Sequence, residues 1–218
     1  MKMMTNLFSV FDPCTGILSL NWLSIMIFML MIPKNFWFLK NKNMIIYNML
    51  MYKLHFELVS LMKYKGMSLL MLSLFVMIMF NNIMGLLPYV FTASSHLVFS
   101  LSLALPMWMG FMIYGWINNT NYMFMHLVPT GTPSILMPFM VLIETISNFI
   151  RPGSLAVRLT ANMIAGHLLM SLLGGNTNLL MMISCMLLFI ILMIFEMAVA
   201  MIQSYVFMTL TNLYSSEV

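Results

Sequence analysis

Long apolar runs with very few charges between them constrain this sequence most strongly. Two of these runs, residues 135–173 and 179–213, exceed the roughly 20 residues that a helix needs to cross a bilayer. Only 6% of the 218 residues are charged and 62% are hydrophobic, whereas about a quarter of the residues in a soluble domain are charged. The chain cannot build a water-facing surface, so we expect a single polytopic membrane domain over residues 1–218.

The apolar runs predict an all-α architecture. Residues 17–32 are just long enough for a first span, which Pro33 ends. Residues 67–117 hold two further spans as a hairpin, with a break at Pro88. The two longest runs, together residues 135–213, predict a hairpin of long and strongly tilted helices, because upright helices of that length would overshoot the bilayer. The total is about five membrane-crossing helices.

The segment between the first and second spans has a different composition. Residues 34–65 carry six of the nine cationic side chains, and apolar residues recur between these lysines at helical spacing. This pattern indicates an amphipathic helix that lies in the membrane interface. Short loops rich in lysine face the inner side of a membrane. We therefore expect this helix inside, the N-terminus outside and the C-terminus inside.

Five ionisable residues lie within the last two apolar runs, where such groups are costly and usually mark function. They are Glu144, Arg151, Arg158, His167 and Glu196. The first three are spaced by seven residues, so on a continuous helix they drift by only about 20° per step along one stripe. His167 follows Arg158 by nine residues and therefore falls on the opposite face. A permanent cation and a titratable imidazole thus point in opposite directions.

The two arginines invite different interpretations. Glu144 and Arg151 are close enough on one stripe to form an ion pair that merely holds helices together. Arg158 has no evident fixed partner in its own chain, and an arginine is effectively never deprotonated. It therefore cannot relay protons itself, and we expect it to need a counter-charge from outside the chain.

Amide and small side chains accompany these charges. Asn162 lies one turn beyond Arg158, and Gln203 lies on the same face of the last helix as Glu196. Small residues allow helices to approach closely in lipid. They are Ala156, Thr160, Ala161, Ala165, Gly166, Ala198 and Ala200.

The stretch SLAVRLTANMIAGHLL, residues 154–169, resembles the signature of the F-type ATP synthase subunit a family in its mitochondrial form. The segments IETISNFIRPG, EMAVAMIQSYVF, NNIMGLLP and NLFSVFDP are also similar to that family, so the resemblance covers essentially the whole chain. Bacterial members usually have a carboxylate in place of His167 and a histidine in place of Glu196. The pair found here has the mitochondrial pattern.

The resemblance implies a proton-conducting stator subunit of the rotary ATP synthase, with two offset half-channels beside a rotating c-ring. Arg158 would be the essential cation that faces the ring carboxylate. Glu144 would serve an inner exit, and His167 with Glu196 an outer access path. The implied proton-path residues are Glu144, His167, Glu196, Asn162, Gln203 and Asn82. The family pattern does not assign a role to Arg151.

The resemblance also implies the location and the partners. We expect a multi-pass protein of the mitochondrial inner membrane, with the N-terminus toward the intermembrane space and the C-terminus toward the matrix. Its partners would be the c-ring, other membrane and peripheral-stalk subunits, lipid and protons. Because the sequence has no GxxxxGK[ST] loop, nucleotide chemistry should belong to those other subunits. We expect no direct nucleotide or nucleic-acid binding and no catalysis by this chain alone.

Metal and cofactor sites are not predicted. Cys14 and Cys185 have no metal-binding spacing, and the histidines have no spacing for haem. His55, His96 and His126 fall in interfacial or loop segments, where we expect ordinary surface roles.

Two other functions remain as alternatives. A proton-coupled secondary transporter usually has internal repeats with helices broken at matching places, and the sequence has neither. A structural subunit of a respiratory membrane complex would not need an unpaired arginine flanked by carboxylates.

Overall fold

The computed structural model describes residues 7–14, 20–34, 39–61, 66–88, 90–128, 131–175 and 179–217, with only the backbone at 179–183 and 217. Every regular element in these ranges is a helix. The seven α-helices are α1 (Phe28–Met31), α2 (Lys42–Leu61), α3 (Met67–Gly85), α4 (Leu97–Asn118), α5 (Thr120–His126), α6 (Met137–Gly174) and α7 (Leu179–Glu217). Three 3₁₀ helices complete the described part of the chain: Leu7–Phe11, Leu20–Ile27 and Ala93–Ser95.

Four of the described helices are long and apolar enough to cross a membrane. They are α3, α4, α6 and the part of α7 from Ser184 to Ser216. The predicted all-α polytopic membrane fold is confirmed. The first predicted span, residues 17–32, is only partly described, and its segment Leu20–Met31 is a shorter apolar helix, most of it 3₁₀. Residues 17–19 lie outside the described ranges.

The lysine-rich segment contains a helix, α2, of 20 residues. Leu58 is its one buried residue, and it packs into a cluster with Met71 and Met208. Ile46 and Leu50 of α2 are exposed, which leaves apolar surface for lipid or another subunit. The position of α2 in the membrane interface remains a prediction, and Lys63 and Lys65 of the predicted segment lie outside the described residues.

Helices α6 and α7 have 38 and 39 residues and pack against each other. At 1.5 Å per residue each is about 57 Å long, nearly twice the hydrocarbon thickness of a bilayer. Helix α6 continues through Pro152. A tilted hairpin is the arrangement that keeps such helices within a membrane.

The buried apolar side chains of the bundle form three clusters, one at each end and one in the middle. The clusters are Leu58, Met71, Phe75, Val76, Phe111 and Met208 at one end; Ile78, Ala104, Leu155, Ala156, Leu159 and Phe207 in the middle; and Leu86, Met170 and Ala200 at the other end. His167 lies near the end of α6 and Glu196 lies in the first half of α7, both beside the third cluster. We call this end of the bundle the His167 end. The opposite end contains Glu144 and is called the Glu144 end.

Candidate functional site

Arg158 lies near the middle of α6 with its side chain exposed. The residues one turn away on the same helix face, Ser154 and Ala161, are also exposed, as is its neighbour Val157. Among the described residues Arg158 takes part in no ion pair, the one salt bridge found there being between Arg151 and Glu144. A guanidinium is thus presented on the outside of a long apolar helix.

The small residues of the hairpin fall into two groups with different surroundings. Ala156, Thr160, Gly166 and Ala200 are buried, which agrees with close packing inside this chain. Ala161, Ala165 and Ala198 are exposed instead, and the first two continue the face that carries Arg158. This face, defined by Ser154, Arg158, Ala161 and Ala165, is called the Arg158 face. Its small side chains would let a helix of another chain approach the guanidinium closely.

Asn162 and Gln203 join the two long helices one turn beyond Arg158. The Asn162 Nδ2 group donates a hydrogen bond to Gln203 Oε1 at 3.1 Å. Gln203 is buried, whereas Asn162 is only half-buried. The bond therefore holds α6 and α7 in register beside the Arg158 face.

Glu196 reaches across the hairpin to the residue that precedes His167. The Glu196 side chain is buried, and its carboxylate packs so closely on Gly166 that a Cβ there would overlap both oxygens. His167 is the next residue on α6; it is half-buried, and its Nε2 has no hydrogen-bond partner among the described residues. The edge of its ring meets Phe11 of the N-terminal 3₁₀ helix, with 6.1 Å between ring centroids. A carboxylate and an imidazole thus share one small region at the His167 end.

Glu144 and Arg151 form an ion pair at the other end, with 3.5 Å between Glu144 Oε1 and Arg151 Nη2. The Arg151 guanidinium also lies over the ring of Tyr214 on α7, 5.5 Å from its centroid. A cavity of about 20 Å³ adjoins Arg151 and Tyr214, with Trp108 and His126 also in its wall; this volume holds about one water molecule. His126, expected to be an ordinary surface residue, is exposed and adjoins this cavity.

Asn82 is completely buried at the end of α3. Neither its Oδ1 nor its Nδ2 has a hydrogen-bond partner among the described residues. Ser94, in the loop that follows, is equally buried, and its Oγ likewise has no partner in the described part of the chain. Buried polar atoms in native proteins are nearly always paired with protein or water. Sequence reasoning missed Ser94, although the polar run TASSH between two spans was a signal for it.

The structure brings some of the predicted site residues close together and keeps others apart. Glu196 packs on Gly166, the residue before His167. Gln203 accepts a hydrogen bond from Asn162, and Glu144 pairs with Arg151. Fourteen residues of helix separate Glu144 from Arg158, about 21 Å at 1.5 Å per residue. His167 lies about 13 Å from Arg158 in the other direction by the same rise. The described residues contain no group of three or more side chains suited to hold a metal ion.

The fold and this arrangement define a class: a polytopic α-helical membrane protein with ionisable groups spread along a long helical hairpin. The model of the family described as ATP synthase A chain matches residues 14–216. The subunit a of ATP synthase from Anopheles quadrimaculatus is 57% identical over 225 residues, covering 99% of this chain and 100% of the relative. That of Locusta migratoria has the same identity and coverage, and that of Drosophila melanogaster is 56% identical over 223 residues, again covering 99% and 100%.

The chain belongs to the ATP synthase subunit a family. The family resemblance inferred from the motifs is therefore confirmed, and the chain is a membrane-sector subunit of the ATP synthase that assembles with the other subunits of that complex.

Proposed function

We propose that this chain is the static proton-conducting subunit beside the rotating c-ring, and that Arg158 faces the ring carboxylates. Two half-channels reach the Arg158 face from opposite sides of the membrane. Proton flow through them turns the ring and so drives ATP synthesis in the partner subunits. The membrane is the mitochondrial inner membrane, with the N-terminus toward the intermembrane space and the C-terminus toward the matrix.

The exposed guanidinium of Arg158 is the observation that carries this proposal. A charged group that faces lipid in the middle of a span is costly, and such groups normally face protein or water. Arg158 has no ion-pair partner in the described part of its own chain. The small exposed residues beside it, Ala161 and Ala165, leave room for a foreign helix at close range. A partner helix that brings a carboxylate shields Arg158 from lipid, pairs with its charge and fits against the small residues beside it.

The charge of Arg158 then explains both proton release and insulation. A carboxylate that arrives protonated beside a fixed cation is favoured in its ionised form, so its proton leaves. The same fixed positive charge opposes a proton that would hop directly between the half-channels, as fixed charges do in other pores. Arg158 acts without changing its own protonation state.

The positions of the other ionisable groups support two separate paths. Glu144 lies about 21 Å from Arg158 along α6, and His167 lies about 13 Å away in the opposite direction. Glu144 serves the inner path, and His167 with Glu196 serves the outer one. Asn82 belongs to the outer path, since the end of α3 lies at the His167 end. Asn162 and Gln203 hold the hairpin in register where the paths approach Arg158.

The test is ATP-driven acidification of vesicles that contain the whole complex with Arg158→Ala. Loss of acidification with continued ATP hydrolysis by the soluble sector is the expected result. Ser154→Ala is the matched control, because Ser154 is exposed on the same face and its Oγ donates to the Arg151 carbonyl of its own helix. Acidification near the wild-type rate in Arg158→Ala would show that Arg158 is not the cation that couples proton flow to the ring.

A further inference from the structure

We propose that α2 carries a binding site for an anionic phospholipid, whose phosphate lies between two lysines while its acyl chains cover exposed apolar side chains. The site is a surface groove of about 410 Å³ along one side of α2. It is called the α2 groove and is lined by Lys40, Ile45, Asn48, Met49, Tyr52 and Lys53. This inference goes beyond the proposed function and does not depend on the role of Arg158.

The α2 groove lies on the side of α2 that faces away from the helix bundle. On the bundle side, Leu58 is buried and packs into a cluster with Met71 of α3. Met49 precedes Leu58 by nine residues, which places the two side chains on opposite sides of the helix. Accordingly, Ile45, Met49 and Tyr52 of the groove are 47%, 58% and 72% exposed. The described part of this chain therefore leaves the groove open to whatever surrounds the bundle.

The charge of the α2 groove is positive. Lys40 and Lys53 are exposed, and neither forms an ion pair among the described residues. Glu57 follows Lys53 by one turn but does not line the groove, and no other described residue brings a carboxylate to its wall. Clusters of lysines on an amphipathic helix attract anionic headgroups. Two ammonium groups that share one groove are therefore suited to a phosphate diester.

The wall of the groove also has the neutral donors that a phosphate needs. Asn48 is half-buried and Tyr52 is exposed, so an amide and a phenol hydroxyl are both available to donate hydrogen bonds. Ile45 and Lys53 are eight residues apart, which is about 12 Å along the helix. The groove is therefore long enough for a headgroup and the first part of the acyl chains.

The apolar part of the wall favours a lipid over free phosphate. Ile45 and Met49 line the groove beside the lysines, and their neighbours Ile46 and Leu50 are exposed as well. A small anion would leave these side chains uncovered, whereas acyl chains would bury them. Lysine stems can lie along such an apolar surface while the ammonium groups reach the headgroups. The combination is typical of a helix that binds anionic lipid in the interface.

Photolabelling of the whole complex tests this site. The complex is placed in phosphatidylcholine vesicles that contain a trace of phosphatidylglycerol with a photoreactive group on its acyl chain. After illumination and digestion with chymotrypsin, mass spectrometry measures the label on peptides from residues 39–61. A phosphatidylcholine with the same photoreactive chain measures the labelling that needs no anionic headgroup.

In the wild-type complex we expect α2 to be labelled by the phosphatidylglycerol and several-fold less by the phosphatidylcholine. Excess unlabelled phosphatidylglycerol in the vesicles should remove the label, and inorganic phosphate in the buffer should not. These comparisons need no substitution, so they decide the proposal even if a variant fails to assemble.

Substitution of the lysines tests which residues hold the headgroup. A lysine close to an anionic headgroup strengthens binding by about fivefold, so labelling should fall by about that factor in Lys40→Gln and in Lys53→Gln, and further in the double variant. Lys53→Arg keeps the charge and should be labelled as wild type. Lys34→Gln is the matched control, because Lys34 is also exposed but does not line the groove.

Three results would overturn the proposal. Equal labelling by the two photoreactive lipids, or wild-type labelling of Lys40→Gln/Lys53→Gln, would show that α2 does not select an anionic headgroup. Absence of label on α2 in the wild type would show that another subunit covers the groove. Displacement of the label by inorganic phosphate would assign the groove to a free anion. None of these results bears on the proposed function, which Arg158→Ala tests separately through acidification.

Discussion

The carboxylate of Glu196 packs directly on the backbone of Gly166, the residue that precedes His167 on the neighbouring helix. The absence of a side chain at position 166 is what lets the carboxylate reach this point. Gly166 has an ordinary helical conformation, so its contribution is space and not backbone freedom. Glycine in a helix interior is otherwise unfavourable by about 0.5–1 kcal/mol relative to alanine, and the close approach of Glu196 explains its presence.

Gly166→Ala should therefore abolish or strongly reduce proton conduction, because the added methyl group displaces the Glu196 carboxylate. Gly153→Ala is the matched control on the same helix, since a Cβ there meets no atom within 4 Å. We expect Gly153→Ala to conduct normally. Passive conduction in stripped vesicles measures both, and equal rates for the two variants would show that the Glu196 position does not matter.

Asn82→Leu should lower conduction without lowering the thermal stability of the complex. The substitution removes a buried amide that no described protein group satisfies and replaces it with an apolar side chain of similar size, a change that is often neutral or stabilising. Conduction falls because a polar group of the outer path is lost. The measurements are passive conduction and the Tm of the assembled complex.

Thr211→Val is a suitable control for Asn82→Leu, since Thr211 is buried but satisfied by carbonyls of its own helix. A lower Tm with unchanged conduction in Asn82→Leu would assign Asn82 a purely structural role.

Arg151→Gln should slow ATP-driven acidification, because Glu144 loses the cation that holds its carboxylate. The cation–π contact of Arg151 with Tyr214, of a kind worth about 0.5–2 kcal/mol, should add to this positioning. Tyr214→Leu is then expected to slow acidification in the same direction, and Tyr214→Phe, which keeps the ring, to act as wild type. If Tyr214→Phe and Tyr214→Leu behave alike, the ring does not position Arg151.

Asn162 and Gln203 should show coupling in a double-mutant cycle. Removing either partner breaks the same hydrogen bond, so the two single alanine variants and the double variant should not be additive. We expect a coupling of about 0.5–1.5 kcal/mol in the stability of the complex toward heat or detergent. Asn162→Ala combined with Thr211→Val, which shares no bond with it, should be additive within error.

The long helices, one ion pair and the family of this protein could be predicted from its sequence. The length of the apolar runs predicts α3, α4, α6 and α7, because a segment in lipid must satisfy its backbone hydrogen bonds within a helix. The seven-residue spacing of Glu144 and Arg151 predicts a shared stripe, and the two side chains do form an ion pair. The motif around Arg158 indicates the family. These inferences depend on periodicity within a single helix.

The sequence could not predict which residues of different helices contact each other, and only the tertiary structure shows this. Periodicity does not set how α6 and α7 rotate against each other, so it could not separate the buried Gly166 from the exposed Ala165 beside it. It also could not predict that Trp22 and Phe91 enclose His96, because these residues are far apart in the sequence and meet only when the N-terminal segment packs on the loop. The sequence by itself determined the helices and the charges they carry. Which of those charges meet, and which faces stay open for a partner, was decided by side-chain packing between segments distant along the chain.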